Sequence, residues 1–274
     1  MHLLTPETFV FFAVSGMLAG FLAGLLGIGG GVILVPLFLW TLPKVGFDPS
    51  VVVHSALGSS LGIIIPTALS SALAHRRRGN VLWHQVFWLA FGGAAGAILG
   101  ASAAAALSGA WLKGLFGLML TLVGAKMFSH QRALPPGHNT EVRRESLILV
   151  GLCGGGFSAF FGIGGGVVTV PLMVIFLQLP IHLAVGNASA LIVISSLFGT
   201  LSYVAHGWGV PNLAPFSFGF VNLLVVLLVA PFSILFARLG VKVAGRLRHD
   251  KLLKVFAGLQ IVIGVKLFIS TFFL

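Results

Sequence analysis

The sequence predicts an all-α, polytopic membrane protein built from two inverted repeats of about five helical segments each. Its composition is 58% hydrophobic and 8% charged, with a mean hydropathy of +1.10, a balance that soluble folds do not have. Residues 8–43 carry no formal charge, and neither do residues 146–237. Since a helical span needs about 20 apolar residues, the second of these runs is long enough for several spans.

A glycine-rich stretch that occurs once in each half supports the division into two repeats. Residues 24–37 read GLLGIGGGVILVPL, and residues 159–172 read AFFGIGGGVVTVPL. Peptide groups exposed by such breaks at membrane depth cost several kcal/mol unless a partner meets them. A matched pair of broken hydrophobic segments is typical of transporters whose binding site lies at the breaks.

Ten helical segments are predicted. The second and seventh are too short to cross a bilayer of about 30 Å as full helices. We expect them to be half-helices that either complete a glycine-broken span or return as re-entrant hairpins. Pro36 and Pro171 suit the first turn of these half-helices. In chain order the segments are residues 8–27, 32–42, 50–75, 82–106, 111–128, 146–162, 167–178, 182–205, 213–237 and 251–271.

The domain boundaries follow from a polar stretch in the middle of the chain. This stretch contains Pro135-Pro136-Gly137, which favours a turn or loop over a helix. The predicted domains are residues 1–128 as the N-terminal repeat, residues 129–145 as a cytoplasmic linker, and residues 146–274 as the C-terminal repeat.

The distribution of Lys and Arg predicts the orientation. Cytoplasmic loops of membrane proteins carry an excess of these residues, so the basic face is expected in the cytoplasm and both termini are expected outside. The net charge of +11 is therefore assigned to topology, and no nucleic-acid partner is predicted. Thirteen of the sixteen basic residues fall on one face: Arg76, Arg77, Arg78, Lys126, Arg132, Arg143, Arg144, Arg238, Lys242, Arg246, Arg248, Lys251 and Lys254.

Equivalent loops of the two halves exchange their charge. The stretch from Ala74 to Gly79 contains three arginines, whereas its counterpart from Ala205 to Gly209 contains none. One loop later the order is reversed, since residues 108–111 are nearly neutral and residues 238–254 are strongly basic. This exchange predicts that the halves are inverted in the membrane. The same alignment matches His75 with His206.

The glycines predict an anion site. The first N–H groups of a helix have no partner within it, and the helix dipole places positive charge there. Two such ends that meet near the middle of the membrane can bind a small oxyanion. The alternative interpretation is close helix packing, which we favour for the small residues from Gly92 to Ala106. The predicted site residues of the two motifs are Gly27, Gly29, Gly30, Gly31, Gly162, Gly164, Gly165 and Gly166.

Ser59, Ser60, Asn187 and Ser189 are predicted to add hydroxyl and amide groups to this site. Asn222 is expected in the middle of the ninth segment, where its amide would bond to another helix. The histidines that begin or end the third and eighth segments are expected to anchor the helices at the membrane interface. These histidines are His54, His75, His182 and His206.

The acidic residues are five in number, and none is predicted inside a span. Without intramembrane carboxylates there is no candidate for a proton relay or a cation site, which favours an anionic substrate. The sequence shows no metal cluster, catalytic triad, nucleotide motif or phosphate loop. We therefore expect no metal, no cofactor and no enzymatic activity. The partners expected are the small anion and the lipid bilayer, and an oligomeric state is not inferred.

Three stretches resemble the sulfite exporter TauE/SafE family: G-x-x-G-I-G-G-G-x-x-x-V-P-L, A-L-G-S-S-L-G-I-I-I-P-T and A-H-R-R-R-G-N-V. The resemblance covers essentially the whole chain. It implies a secondary transporter of the inner membrane that moves sulfite, sulfonates or related sulfur oxyanions, often outward. Asn187 stands opposite Ser59 and Ala188 opposite Ser60, so the two half-sites differ. A passive anion channel, a membrane enzyme acting on lipid phosphates and an accessory subunit remain alternatives.

Overall fold

The computed structural model describes residues 5–27, 29–129, 142–244 and 249–272. These residues form ten helices and one short hairpin of two antiparallel strands. The helices are α1 Pro6–Leu26, α2 Gly31–Thr41, α3 Val52–Arg76, α4 Trp83–Ala105, α5 Gly109–Ser129, α6 Arg144–Phe161, α7 Gly166–Ile175, α8 Ile181–His206, α9 Leu223–Ala244 and α10 His249–Phe272. The strands are β1 Ser217–Phe218 and β2 Val221–Asn222.

The predicted all-α polytopic class is confirmed. Six of the helices in the described part of the chain are long and apolar enough to cross a membrane: α1, α3, α4, α6, α8 and α9. Their outward positions carry large apolar side chains such as Phe87, Phe91 and Leu227, which are more than 60% exposed and suit a lipid environment. Residues 130–141 of the predicted linker lie outside the described residues, so the domain boundaries stay a prediction.

Each half-helix folds back along the helix that precedes it. At the far end of the first pair, the rings of Phe11 and Trp40 lie 5.5 Å apart, and those of Phe12 and Phe38 lie 6.0 Å apart. In the second pair, Gly165 packs against Ser158 and Thr169 packs against Gly154. Both pairs are therefore antiparallel hairpins, and the broken-span alternative does not describe them.

Exchanging the two halves preserves the pattern of helix contacts. In this exchange α1 corresponds to α6, α3 to α8, α4 to α9 and α5 to α10. The contact of α1 with α9 then matches that of α6 with α4, and the contact of α3 with α9 matches that of α8 with α4. The contacts α3–α8 and α5–α10 join equivalent helices. Helices α3 and α8 run antiparallel, since Ser71 meets Ser189 at one end and Leu61 meets Gly199 further along. Helices α3 and α8 thus point in opposite directions, which is the arrangement that an inverted repeat requires of this pair.

Small residues bring helices from different halves close together. Along α4, a Cβ atom at Gly92, Gly96 or Gly100 would collide with backbone carbonyl oxygens of α6. Along α1, Gly16, Gly20 and Gly24 lie against the backbone of α9 in the same way. The packing interpretation of the Gly92 stretch is confirmed, because only glycine lets the backbones approach this closely.

The ninth segment begins ten residues later than predicted. Residues 211–222 form turns and the strand hairpin instead of helix, with Asn212 and Phe216 at positive φ. Asn222 does not lie mid-helix: its Oδ1 accepts from the Val225 N–H at 3.1 Å, so it caps the start of α9. The apolar character of this region resembles a span, but two prolines and a glycine, Pro211, Pro215 and Gly219, favour the turns.

Candidate functional site

The two glycine motifs adopt the same backbone conformation. Gly27 and Gly162 end α1 and α6 with φ values of 67° and 65°. The next pairs also match: Gly29 and Gly164 at 82° and 84°, and Gly30 and Gly165 at 83° and 75°. Residues with a Cβ atom avoid this left-handed region. The repeated motif therefore encodes one sharp turn that is used twice.

The two turns touch each other in the protein interior, where their glycines are buried. A Cβ atom at Gly29 would lie 3.0 Å from the Ile163 carbonyl oxygen and 3.1 Å from the Gly164 Cα. Ile64 of α3 and Ile192 of α8 close around Gly164, at 3.3 and 3.2 Å from the position of its Cβ. The structure thus brings together two motifs that lie 135 residues apart in the sequence.

Each turn leads into a helix start with unpartnered N–H groups. The first intrahelical bonds are donated by Ile33 and Leu34 to the Gly30 carbonyl, and by Val168 and Thr169 to the Gly165 carbonyl. These groups are buried, and each helix start carries roughly half a positive elementary charge from the dipole. No described residue accepts from the N–H groups of Gly29, Gly30, Gly31 and Val32, or from those of Gly164, Gly165, Gly166 and Val167.

Ser60 is the predicted polar residue that reaches this region. Its hydroxyl donates to the Gly162 carbonyl at 2.8 Å, and Gly31 packs against that same carbonyl. Ser60 thus connects α3 of the first half to the glycine turn of the second half. Ser189 instead donates to the Val185 carbonyl of its own helix at 2.9 Å, and its hydroxyl lies 3.3 Å from the Ser71 hydroxyl of α3.

Ser59 and Asn187 hold the starts of helices. The Ser59 hydroxyl accepts from the Asn222 N–H at 2.9 Å, just before α9. At the equivalent position, Asn187 Oδ1 accepts from the Leu82 N–H at 2.8 Å, just before α4. The Asn187 amide also donates to Gln85 Oε1 at 2.9 Å. These three hydrogen bonds are therefore structural, and none of them involves a glycine turn.

Ser158 and Ser195 lie beside the second glycine turn, although the sequence did not single them out. A Cβ atom at Gly165 would lie 2.9 Å from the Ser158 Cβ, and the Ser195 hydroxyl donates to the Ser158 hydroxyl at 3.3 Å. Ser158 stands where the first half has Ala23. A residue-by-residue comparison of the repeats would have revealed this added hydroxyl.

The four histidines predicted to be interfacial anchors divide into two buried and two exposed residues. His182 and His206 are exposed, as interfacial anchors would be. His54 and His75 are only 7% and 4% exposed, so the prediction that they are anchors is wrong. His54 stacks on Phe220 at 4.9 Å, and its Nε2 lies 3.2 Å from the Leu107 carbonyl oxygen.

The structural counterpart of His75 is Tyr203, not His206. The His75 carbonyl accepts from the Asn80 N–H, and the Tyr203 carbonyl accepts from the Phe220 N–H. Asn80 and Phe220 are themselves equivalent, since they pack on the matching glycines Gly186 and Gly58. The strand hairpin lengthens the second loop, so matching the two histidines by their distance from the loop places them three residues out of register.

Comparisons with known proteins agree over nearly the whole chain. The family described as "Sulfite exporter TauE/SafE" matches residues 12–267. A "Probable membrane transporter protein" of Haemophilus influenzae is 30% identical over 267 residues, covering 93% of this chain and 96% of the relative. A protein of the same description from Xylella fastidiosa is 32% identical over 74% of this chain and 77% of the relative. "Probable membrane transporter protein YunE" of Bacillus subtilis is 26% identical over 95% and 97%. No solved structure matches.

Proposed function

The chain belongs to the sulfite exporter TauE/SafE family, and on this premise we propose that it exports a small sulfur-containing oxyanion as a secondary transporter. Its membership and its relatives make it a multi-pass membrane transporter. The proposal adds the substrate class, which is sulfite, a sulfonate or a related anion, and the outward direction. It also places the chain in the bacterial inner membrane.

The observation that carries the proposal is the meeting of two helix starts at the glycine turns. The N–H groups at the starts of α2 and α7 are buried and have no acceptor among the described residues. A small oxyanion offers several acceptor oxygens, and helix starts bind such groups through N–H donors and the dipole. We therefore propose that the anion binds between these two starts, close to Ser60 and Ser158.

Alternating access would use two bundles that each combine helices of both halves. The hairpin of α1 and α2 packs on α9, and the hairpin of α6 and α7 packs on α4. Because glycines make these contacts between backbones, each hairpin is expected to move together with its partner helix. Movement of one bundle against the other would open the glycine turns to the two sides of the membrane in alternation.

Arginines at the ends of α3 and α9 support the orientation. Arg78 donates to the Val241 carbonyl at 2.7 Å, and Arg238 Nε donates to Ser70 Oγ at 3.1 Å. We call this end of the molecule, with Arg76, Arg77, Arg78 and Arg238, the basic face. By the excess of positive charge in cytoplasmic loops, we propose that the basic face is cytoplasmic and that both termini are periplasmic.

Transport by the purified full chain in liposomes tests the proposal, with labelled sulfite, thiosulfate, a sulfonate and sulfate as substrates. The decisive variant is Gly164→Ala, and the matched control is Gly209→Ala. Both positions have positive φ, 84° and 77°, so both variants carry a similar backbone cost of about 1–2 kcal/mol. Only at Gly164 would the methyl group press on the opposite turn, 3.2 Å from the Gly29 Cα, whereas nothing lies within 4 Å at Gly209.

We expect wild-type transport to saturate and to show counterflow, and we expect Gly164→Ala to reduce the rate at least about tenfold relative to Gly209→Ala. A loss of one well-formed hydrogen bond to an anion is enough for a change of this size. Equal rates in the two variants would contradict the site at the glycine turns. Flux that neither saturates nor shows counterflow would favour the passive channel.

A further inference from the structure

Three hydroxyl groups form an unpartnered row on α8. They belong to Ser196, Thr200 and Tyr203, whose spacing of four and three residues places them on one face of the helix. Each hydroxyl oxygen is buried, and none has a hydrogen-bond partner in the described part of the chain. Buried hydroxyls without partners are destabilising and uncommon, so three on one helix face call for an explanation.

The row begins at the glycine turns. Ile192, which precedes Ser196 by about one helical turn, lies 3.5 Å from the Cβ position of Gly29 and 3.2 Å from that of Gly164. Ser196 itself is fully buried, with 0% exposure. The first hydroxyl of the row therefore lies on the same helix face as the residue that contacts both turns.

The row ends at a closed position near the other end of α8. Tyr203 is 0% exposed, its Cβ lies 3.2 Å from the Cβ position of Gly58, and its ring meets the Phe220 ring at 6.5 Å. Since α8 runs antiparallel to α3, and α3 ends at Arg76, this end of α8 lies away from the basic face.

The equivalent face of α3 does not carry such a row. The residues that match Ser196, Thr200 and Tyr203 are Ala68, Ala72 and His75. The His75 ring lies near the Gly24 carbonyl and Arg78, and its two nitrogens have no hydrogen-bond partner among the described residues. The hydroxyl row is therefore a feature of one half only, as lining residues of a path that leads from the turns to one side of the membrane would be.

We propose that Ser196, Thr200 and Tyr203 line the substrate path between the glycine turns and the face opposite the basic face. This proposal rests on the proposed transport of an oxyanion. Inside the protein, an anion that moves away from the turns needs hydrogen-bond donors in place of water. An apolar helix face would leave the oxygens of the anion unpaired, at a high cost in free energy. The hydroxyls donate to these oxygens in succession, and Tyr203 closes the path in the conformation described.

Removal of single hydroxyls separates this role from a structural one. Tyr203→Phe, Thr200→Val and Ser196→Ala each delete a hydroxyl and preserve most of the side-chain shape. Because these hydroxyls have no partner among the described residues, the variants are expected to keep or raise the Tm of the wild type in detergent. We expect the initial rate of sulfite transport to fall about tenfold in Tyr203→Phe and Thr200→Val.

The matched control is Thr121→Val on α5, whose hydroxyl donates to the Gly117 carbonyl of its own helix at 2.9 Å. This variant is expected to transport at the wild-type rate. Wild-type rates in all three α8 variants would overturn the substrate path. A lowered Tm together with a lowered rate in the α8 variants would show a structural role and would also overturn it.

A second measurement does not depend on which anion is transported. In a Cys153→Ser background, which removes the exposed native thiol, Thr200→Cys is treated with a membrane-impermeant, sulfonate-bearing thiol reagent. We expect labelling from the face opposite the basic face and none at Thr121→Cys. Labelling without transport of any tested anion would leave the path in place and contradict the proposed substrates. Absence of labelling at residue 200 in a chain that transports sulfite would overturn the path alone.

Discussion

Asn187 shows, at the scale of single residues, why a polar side chain inside a span need not contact substrate. Its oxygen accepts from the Leu82 N–H, and its amide nitrogen donates to Gln85. Ser59 makes the equivalent bond to the Asn222 N–H in the other half. In an apolar medium, an N–H group at the start of a helix needs an acceptor, and these two side chains supply it.

Replacement of Asn187 by Ala is therefore expected to reduce stability and leave substrate affinity unchanged. The change removes the acceptor of the Leu82 N–H and the donor to Gln85, at a cost of about 2 kcal/mol or more. The measurements are the Tm in detergent and the KM for the transported anion. Thr121→Val is the control, because its hydroxyl donates to a carbonyl of its own helix. A raised KM with an unchanged Tm would show that Asn187 contacts the substrate.

At the scale of secondary-structure elements, the glycines serve two distinct purposes. In the repeated motif they permit positive φ at a turn, as Gly164 does at 84°. In α1 and α4 they lie within regular helix and allow close packing, as Gly20 does against Ser233 of α9. Composition does not separate these purposes, but spacing does, since packing glycines recur every four residues and turn glycines are consecutive.

Two glycines at the contact between α4 and α6 offer a matched test of the packing role. A Cβ atom at Gly96 would collide with the Leu152 carbonyl, whereas one at Gly156 would lie 3.6 Å from the Gly96 carbonyl oxygen, an ordinary contact. We expect Gly96→Ala to cost about 2–3 kcal/mol through overpacking. Gly156→Ala is expected to be neutral or to stabilise by up to about 1 kcal/mol, because Ala favours the helix.

Thermal unfolding in detergent distinguishes the two variants. If both lower the Tm equally, backbone contact is not what holds α4 against α6. If neither variant lowers the Tm, the contact between α4 and α6 accommodates the added methyl groups at no cost. The proposal that α4 moves together with the hairpin of α6 and α7 then loses its support.

At the scale of the whole molecule, the antiparallel direction of the equivalent helices α3 and α8 agrees with the charge exchange between the loops. Ser71 meets Ser189, and the ends of α3 and α9 share the basic face through Arg78 and Val241. An inverted repeat places the same chemistry on both sides of the membrane. The differences between the halves, such as the hydroxyl row on α8 and His75 on α3, are therefore where the two sides can acquire different properties.

Thiol labelling in intact cells tests this orientation. Arg77 and Ala110 are both exposed, so a cysteine at either position is accessible from its own side. In the Cys153→Ser background, we expect an impermeant reagent outside the cell to label Ala110→Cys and to label Arg77→Cys only after the membrane is permeabilised. The reverse pattern would overturn the assignment of the basic face to the cytoplasm.

Local patterns predicted much of the site but few of its contacts. The glycine motif predicts both turns, and the Ser60 hydroxyl lies beside one of them, while its role in the site stays a prediction. Asn222 was placed inside a helix because its neighbours are apolar, although it caps α9 after a strand hairpin. The distance from the following loop matches His75 with His206. This match is wrong because the strand hairpin makes the second loop longer than the first. Both errors come from contacts that depend on how a loop folds back onto the bundle.

The sequence by itself determined the membrane class, most helix boundaries and the doubled glycine turn, because the transfer of apolar side chains and the backbone freedom of glycine are local properties. The tertiary structure decided which helices pack together and what Ser59 and Asn187 bond to. It also decided which hydroxyls of α8 lack partners within the described residues. These outcomes depend on residues more than 100 positions apart, such as Ser60 and Gly162, whose proximity arises only when the two halves fold against each other.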